Sequence, residues 1–272
     1  MRILFLGDVV GRAGRQAVLK RLPAIRERLR ADFVIVNGEN AAGGFGITAA
    51  IADAFFDAGA DVVTTGNHAF DQREAMLHYE REARLLRPLN YPDGTPGRGG
   101  GLFETADGRK VLVLAPMGQV HMHPLLDNPF SAVGRELDAC PLGECADAIV
   151  IDMHAEITSE KMAMGHFCDG RASLVAGSHT HVPTADAQIL PGGTAHLTDA
   201  GMCGDYDSVI GMQKDEPLRR FTGRIPAGRF TPAGGAATIC GVFVATDDAS
   251  GLATDVAPLR AGGRLRESWP AF

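Results

Sequence analysis

The apolar positions alternate between short continuous runs and runs spaced at three or four residues. Arg2 to Leu6 is a β-rich run, and in Arg12 to Arg30 the apolar residues Val18, Leu22, Ile25 and Leu29 fall on one helical face. Phe33 to Asn37 reads as a buried strand, a glycine-rich loop spans Gly38 to Ile47, and Thr48 is placed to cap a helix running to Ala58. Asp61 to Thr65 gives a third strand ending at Gly66-Asn67-His68, and Gln72 to Leu86 has helical composition. Arg87 to Gly101, rich in Pro and Gly, is expected to be loop. Three successive β-α units predict a layered α/β architecture with parallel strands.

The pattern then changes. Leu102 to Thr105 and Lys110 to Leu114 flank Asp107-Gly108, a hairpin signal, so some pairing must be antiparallel and the sheet is expected to be mixed. A loop over Met117 to Pro129 leads to a helix over Phe130 to Cys140. Ala148 to Asp152 is a buried strand with His154 just past its end, and Thr158 to Cys168 is helical. Ala172 to Ala176 is another buried strand, leading into Gly177-Ser178-His179-Thr180-His181. Hairpins are expected for Ala187 to Leu190 with Ala195 to Thr198, and for Ala237 to Ala245 with Leu252 to Ala257. The glycine- and proline-rich stretch Asp199 to Gly234 has no assignable pattern. Without a repeat or linker, residues 1–272 are read as a single domain.

Composition narrows the class without naming a function. A hydrophobic share of 45% and a charged share of 22% are globular values. No apolar run reaches the roughly 20 residues of a membrane-crossing helix, and the apolar start before Asp8 is too short for a secretory leader. The net charge of -7 argues against broad capture of a nucleic-acid backbone, yet leaves room for a small anionic substrate held by cations. Five cysteines, none in a Cys-x-x-Cys pair, suggest reduced thiols and a cytoplasmic setting.

The chemistry is concentrated where strands end. Asp8 follows the first strand, Glu39 and Asn40 the second, Asn67 and His68 the third; His154, His179 and His181 follow later ones. In extended chain, residues i and i+2 share a face, so His179 and His181 are expected to point into one cavity. The carboxyl edge of an α/β sheet is where ligands bind. Oxygen donors mixed with imidazoles suit Mn²⁺, Fe²⁺ or Zn²⁺. Seven donors exceed the need of one ion, whereas a carboxylate bridging two ions, with hydroxide held between them as nucleophile, would account for them.

Gly7-Asp8, Gly66-Asn67-His68, His154 and Gly177-Ser178-His179-Thr180-His181 resemble, in order and spacing, the calcineurin-like metallophosphoesterases, and specifically their YmdB-like bacterial phosphodiesterase branch. Two departures from the wider superfamily, Asp8-Val9-Val10 in place of Asp-x-His and Glu39 in place of the bridging Asp, are similar to that branch. The resemblance implies that Asp8, Glu39, Asn40 and His181 hold one divalent ion, that Glu39, Asn67, His154 and His179 hold the other, and that His68 protonates the leaving oxygen. It further implies a four-layer α/β/β/α sandwich with mixed sheets and hydrolysis of cyclic nucleotides of the 2′,3′-cyclic AMP type, with RNA as an indirect partner and a homo-oligomer as the assembly. Alternatives on the same residues are a regulatory nucleotide- or protein-binding protein with vestigial hydrolysis, and a phosphomonoesterase.

Other residues are weighed as bland. His121 and His123 form a rival metal pair, but in a loop that no strand delivers. Tyr206 is set either to stack on a base or to pack. His78, His166 and His196 are read as structural, and Arg12 and Arg15 as solvated.

Overall fold

The computed structural model describes residues 1–223, 225–226 and 228–271; within the stretch read as irregular, positions 224 and 227 lie outside the described residues, as does the last position of the 1–272 reading. In chain order the elements are β1 (Arg2–Leu6), α1 (Gly11–Leu29), β2 (Phe33–Asn37), α2 (Ala49–Asp57), β3 (Val62–Thr64), α3 (Ala75–Arg81) and β4 (Leu85–Leu86). There follow β5 (Gly100–Glu104), β6 (Lys110–Leu114), α4 (Pro129–Ala139), β7 (Ala148–His154), α5 (Thr158–Phe167) and β8 (Leu174–Ser178). The remainder is β9 (Gln188–Ile189), β10 (Ala195–Leu197), β11 (Gly204–Asp205), α6 (Asp215–Gly223), β12 (Ala237–Thr246) and β13 (Ala253–Ala261).

These strands form two mixed sheets rather than the one sheet expected from the pattern. The first runs β11-β12-β1-β2-β3-β4 with β13 added on β12, and the second runs β5-β6-β7-β8-β10-β9. Alternation along each strand explains how the sheets stack. Leu4, Leu6, Val34, Val36 and Val63 face α1 and α2, burying Val18, Leu22, Ile25 and Phe55 among them. The opposite faces, Ile3, Phe5, Phe33, Ile35 and Val62, pack directly on Val111, Val113, Val150 and Leu174 of the second sheet. Leu112, Leu114, Ile149, Ile151 and Val175 then cover Val133 and Leu137 of α4 and Met164 of α5.

Local chemistry sets the boundaries. Thr48 caps α2 as expected, its Oγ1 accepting from Ile51 N at 3.3 Å. The helix read over 72–86 is shorter: Glu82 leaves the helical conformation, its carboxylate accepts from Arg84 N at 3.0 Å, and Leu85 and Leu86 turn into an edge strand beside β3. β7 runs two residues past its expected end because Met153 and His154 pair with Gly177 and Ser178 of β8. The irregular stretch contains β11 and the nine-residue α6. Cys140 and Cys145 are joined in a disulfide, correcting the reading of five reduced thiols; the turn between them brings their Cα atoms to 5.0 Å, while Cys168, Cys203 and Cys240 are free and buried. No helix of the described residues is long and apolar enough to cross a membrane.

Candidate metal centre

The carboxyl ends of β1, β2 and β3 in the first sheet meet those of β7 and β8 in the second, so the donor residues converge from both sheets instead of from one edge. His154 Nε2 is the centre of the first group. It lies 3.1 Å from Glu39 Oε2, 3.0 Å from Asn67 Oδ1 and 3.1 Å from His179 Nδ1. One imidazole N–H can satisfy only one of three such acceptors, so this crowding of lone pairs is what a cation would resolve. Asp8, Glu39 and His181 form a second group, with Glu39 common to both. Asn40 Oδ1 stands 3.1 Å from His181 Nε2. Asp8 is fully buried; its Oδ2 accepts from His179 N at 3.1 Å, but its Oδ1 has no hydrogen-bond partner among the described residues. A buried carboxylate oxygen without a donor is costly unless a cation serves it. The residues therefore fit metal ions.

Each histidine is oriented through its other nitrogen, as is usual for ligating imidazoles. His154 Nδ1 is 2.8 Å from Ser178 Oγ, which donates at 2.5 Å to Asp152 Oδ1; Asp152 in turn accepts from Asn37 Nδ2 and Thr64 Oγ1 at 2.9 and 2.6 Å. His181 Nδ1 donates to Ile210 O at 2.7 Å, and His179 Nε2 lies 3.1 Å from Glu156 Oε2. Gly66 is required beside them, since a Cβ there would strike the His154 ring and the Glu39 carboxylate.

His179 and His181 converge by a different route from the extended chain expected. Their φ angles are 94° and 66°, in the left-handed region that costs a non-glycine residue roughly 1–2 kcal/mol. Asp199 holds the turn between them, accepting from Thr180 N and Oγ1 at 3.1 and 2.7 Å and from the buried Lys161 Nζ at 2.6 Å. Tyr206 adds to this support: its hydroxyl donates to His181 O at 3.2 Å and accepts from Met202 N at 2.9 Å, so it packs under the turn and does not line the cleft.

Burial and neighbours set the charges. Burial opposes the charge on Glu39, but His154 beside it holds the carboxyl at about 2. Burial likewise opposes charge on His154, yet Glu39, then Asp8 and Asp152, raise it to about 9. Burial pushes Asp8 up to about 6 against the pull of His181 and His154, and burial with the neighbouring His154 presses His179 down to about 3.

His68 stands at the rim in neither donor group. Its Nδ1 is 2.8 Å from Asp71 Oδ2, its ring is edge-on to Phe45 at 5.1 Å, and Nε2 is left for a ligand in the cleft. This cleft, about 370 Å³, is bounded by Glu39, Asn40, His68, His179 and His181 on one side. His121 and His123 are exposed and belong to no donor group among the described residues. The sequence reading missed Asp152, Glu156 and Asp199; the i, i+2 spacing of Asp152 and His154 on one strand was the available signal for the first.

The chain matches the model of the YmdB-like protein family over residues 4–259. A 2′,3′-cyclic-nucleotide 2′-phosphodiesterase of Bacillus subtilis (strain 168) is 44% identical over 248 residues, 91% of this chain and 92% of that protein. Among solved structures, a novel phosphatase from Mycoplasma pneumoniae superposes with a TM-score of 0.89 at 32% identity, covering 96% of this chain and 93% of that one. A hypothetical protein from Thermus thermophilus superposes with a TM-score of 0.88 at 43% identity, covering 97% and 100%.

Proposed function

The chain belongs to the YmdB-like protein family and is a phosphoric ester hydrolase; from that premise we propose that it is a dinuclear metal-dependent phosphodiesterase that opens 2′,3′-cyclic nucleotides such as 2′,3′-cyclic AMP. The observation that carries the reading is the crowding of acceptors at His154 Nε2, together with a carboxylate, Glu39, common to both donor groups. In this reading Asp8, Glu39, Asn40 and His181 hold one ion and Glu39, Asn67, His154 and His179 the other. The mixed oxygen and imidazole set suits Mn²⁺ and Fe²⁺, and also Zn²⁺. Such ions, when bound, neutralise charge on the phosphoryl oxygens and lower the pKa of a water that attacks phosphorus. His68 donates a proton to the departing ester oxygen, held for this by Asp71.

We take residues 1–272 as one domain of four stacked layers, α/β/β/α, acting on a small diester. The three apolar clusters support the layering, and the supply of donors from both sheets supports one domain. RNA enters only as a source of cyclic ends, and a homo-oligomer is the assembly we expect. The direct test is chromatography of 2′,3′-cyclic AMP incubated with Mn²⁺- or Fe²⁺-reconstituted protein. Metal-dependent appearance of an adenosine monophosphate is the expected result; no product with Mn²⁺, Fe²⁺ or Zn²⁺ despite two bound ions would overturn the reading.

Metal uptake should also release protons. Without metal, His154 titrates at about 9 and so carries its proton at neutral pH, on the nitrogen a cation needs. Binding at pH 7 to 8 should therefore expel about one proton per chain, and apparent affinity should climb as pH rises toward 9. It should fall further below pH 6, where Asp8 gains a proton. Calorimetry of Mn²⁺ binding in two buffers of different ionisation enthalpy reads the number directly, and a value of zero would contradict this charge assignment.

A further inference from the structure

The cleft beside the donor groups has a second wall of opposite character. Val209, Ile210, Met212, Pro217, Phe221 and Phe230 line it, and their side chains offer no strong hydrogen-bonding group. Phe45 lines the same cleft, its ring edge-on to His68 at 5.1 Å. It projects from a loop whose Gly43, Gly44 and Gly46 all have positive φ, at 65°, 93° and 76°, and whose carbonyl at Phe45 accepts from Gln72 Nε2 at 2.8 Å. Met212 and Pro217 are buried in the fold, but packing does not explain the rest of the wall: Phe221 is 82% exposed, Ile210 53%, and Phe230 carries the Arg220 guanidinium 4.1 Å from its ring centroid. Exposed apolar surface that shares a cleft with a cluster of polar donor residues marks a ligand contact.

We propose that Phe45, Phe221 and Phe230 form a base subsite, which takes the planar purine of a nucleotide whose phosphate lies against Glu39, His179 and His181. The occupant follows from continuity: one cavity of about 370 Å³, the scale of a single nucleotide, is lined both by donor residues with His68 and by the phenyl rings of Phe45, Phe221 and Phe230. Recognition is by stacking area rather than by hydrogen bonds, so larger purines are preferred to pyrimidines without discrimination between adenine and guanine edges. This inference rests on the cyclic-nucleotide reading above, and it supplies the base-binding contact that the sequence analysis offered to Tyr206.

The test compares two esters, 2′,3′-cyclic AMP and ethylene glycol cyclic phosphate, which lacks ribose and base, on metal-loaded wild type, Phe221→Ala and Phe221→Tyr. Because the side chain at 221 stands in solvent, folding does not depend on it. The ratio of kcat/KM for the nucleotide to that for the base-free ester should fall about tenfold in Phe221→Ala, through KM, and be kept in Phe221→Tyr. An unchanged ratio, or a wild type that opens both esters equally well, overturns the subsite while leaving the reaction class standing. A changed sedimentation mass in Phe221→Ala with the ratio unchanged would assign the wall to a second copy of the chain. Should wild type open neither ester, the reaction reading fails and the subsite is judged by calorimetry with adenosine 3′-monophosphate: about tenfold weaker binding to Phe221→Ala sustains it, and equal binding overturns it.

Discussion

Glu39→Gln should lower kcat on 2′,3′-cyclic AMP by about 10³-fold or more and leave the protein with fewer than two bound ions per chain. Glu39 is 1% exposed, it contributes to both donor groups, and its Oε2 lies 3.1 Å from His154 Nε2. Glutamine keeps the shape but removes the charge, and its amide nitrogen has no lone pair to give. Two ions then lose a common anionic ligand at once, whereas loss of Asn40 or Asn67 would weaken one. A metal ion contributes several kcal/mol of charge stabilisation in the transition state, and each 1.36 kcal/mol is tenfold in rate. The variant should still fold, because without the carboxylate beside it His154 can shed the proton that Glu39 holds at a pKa of about 9. Metal analysis beside a turnover assay decides the matter: two ions per chain with wild-type rate would mean that Glu39 does not bridge.

The residues just named were legible because their positions obey a rule of topology. Parallel strands deliver side chains at their carboxyl ends, and short apolar runs bounded by Gly-Asp, Gly-Glu-Asn and Gly-Asn-His mark those ends in the sequence. What the pattern could not give was the number of sheets, because the pairing partner of a buried strand is not written in its own residues. Ile3 and Phe5 read as core in either case, and only the structure shows that they meet Val111 and Val150 of another sheet. The geometry of His179 and His181 was hidden for a related reason. Their left-handed backbone is imposed by Asp199 and Lys161, residues 18 or more positions away that carry no local signal. α3 stops short of its expected end because Leu85 and Leu86 pair with β3, the strand just before the helix, and helical composition alone does not show that pairing. Phe221 was overlooked because glycine and proline around it masked the helical spacing of α6.

His68→Ala should keep both metal ions and lose about 10²- to 10⁴-fold in rate on 2′,3′-cyclic AMP, the usual worth of a positioned general acid. His68 lies in neither donor group, so its removal takes no ligand from the centre; its hydrogen bond to Glu39 is a backbone N–H donated to Oε2 at 3.4 Å, which alanine retains. The side chain is fixed instead by Asp71, 2.8 Å from Nδ1, and by the edge of Phe45. That arrangement matters for a ribose alkoxide, a strongly basic leaving group that needs a proton as the ester bond breaks. It matters much less for a nitrophenolate, which departs unprotonated. The variant should therefore lose far less on bis(p-nitrophenyl) phosphate than on the cyclic nucleotide, and Asp71→Asn should show the same contrast on a smaller scale. Equal losses on the two esters would remove the proton-donor role, and loss of metal in a folded His68→Ala protein would make His68 a ligand.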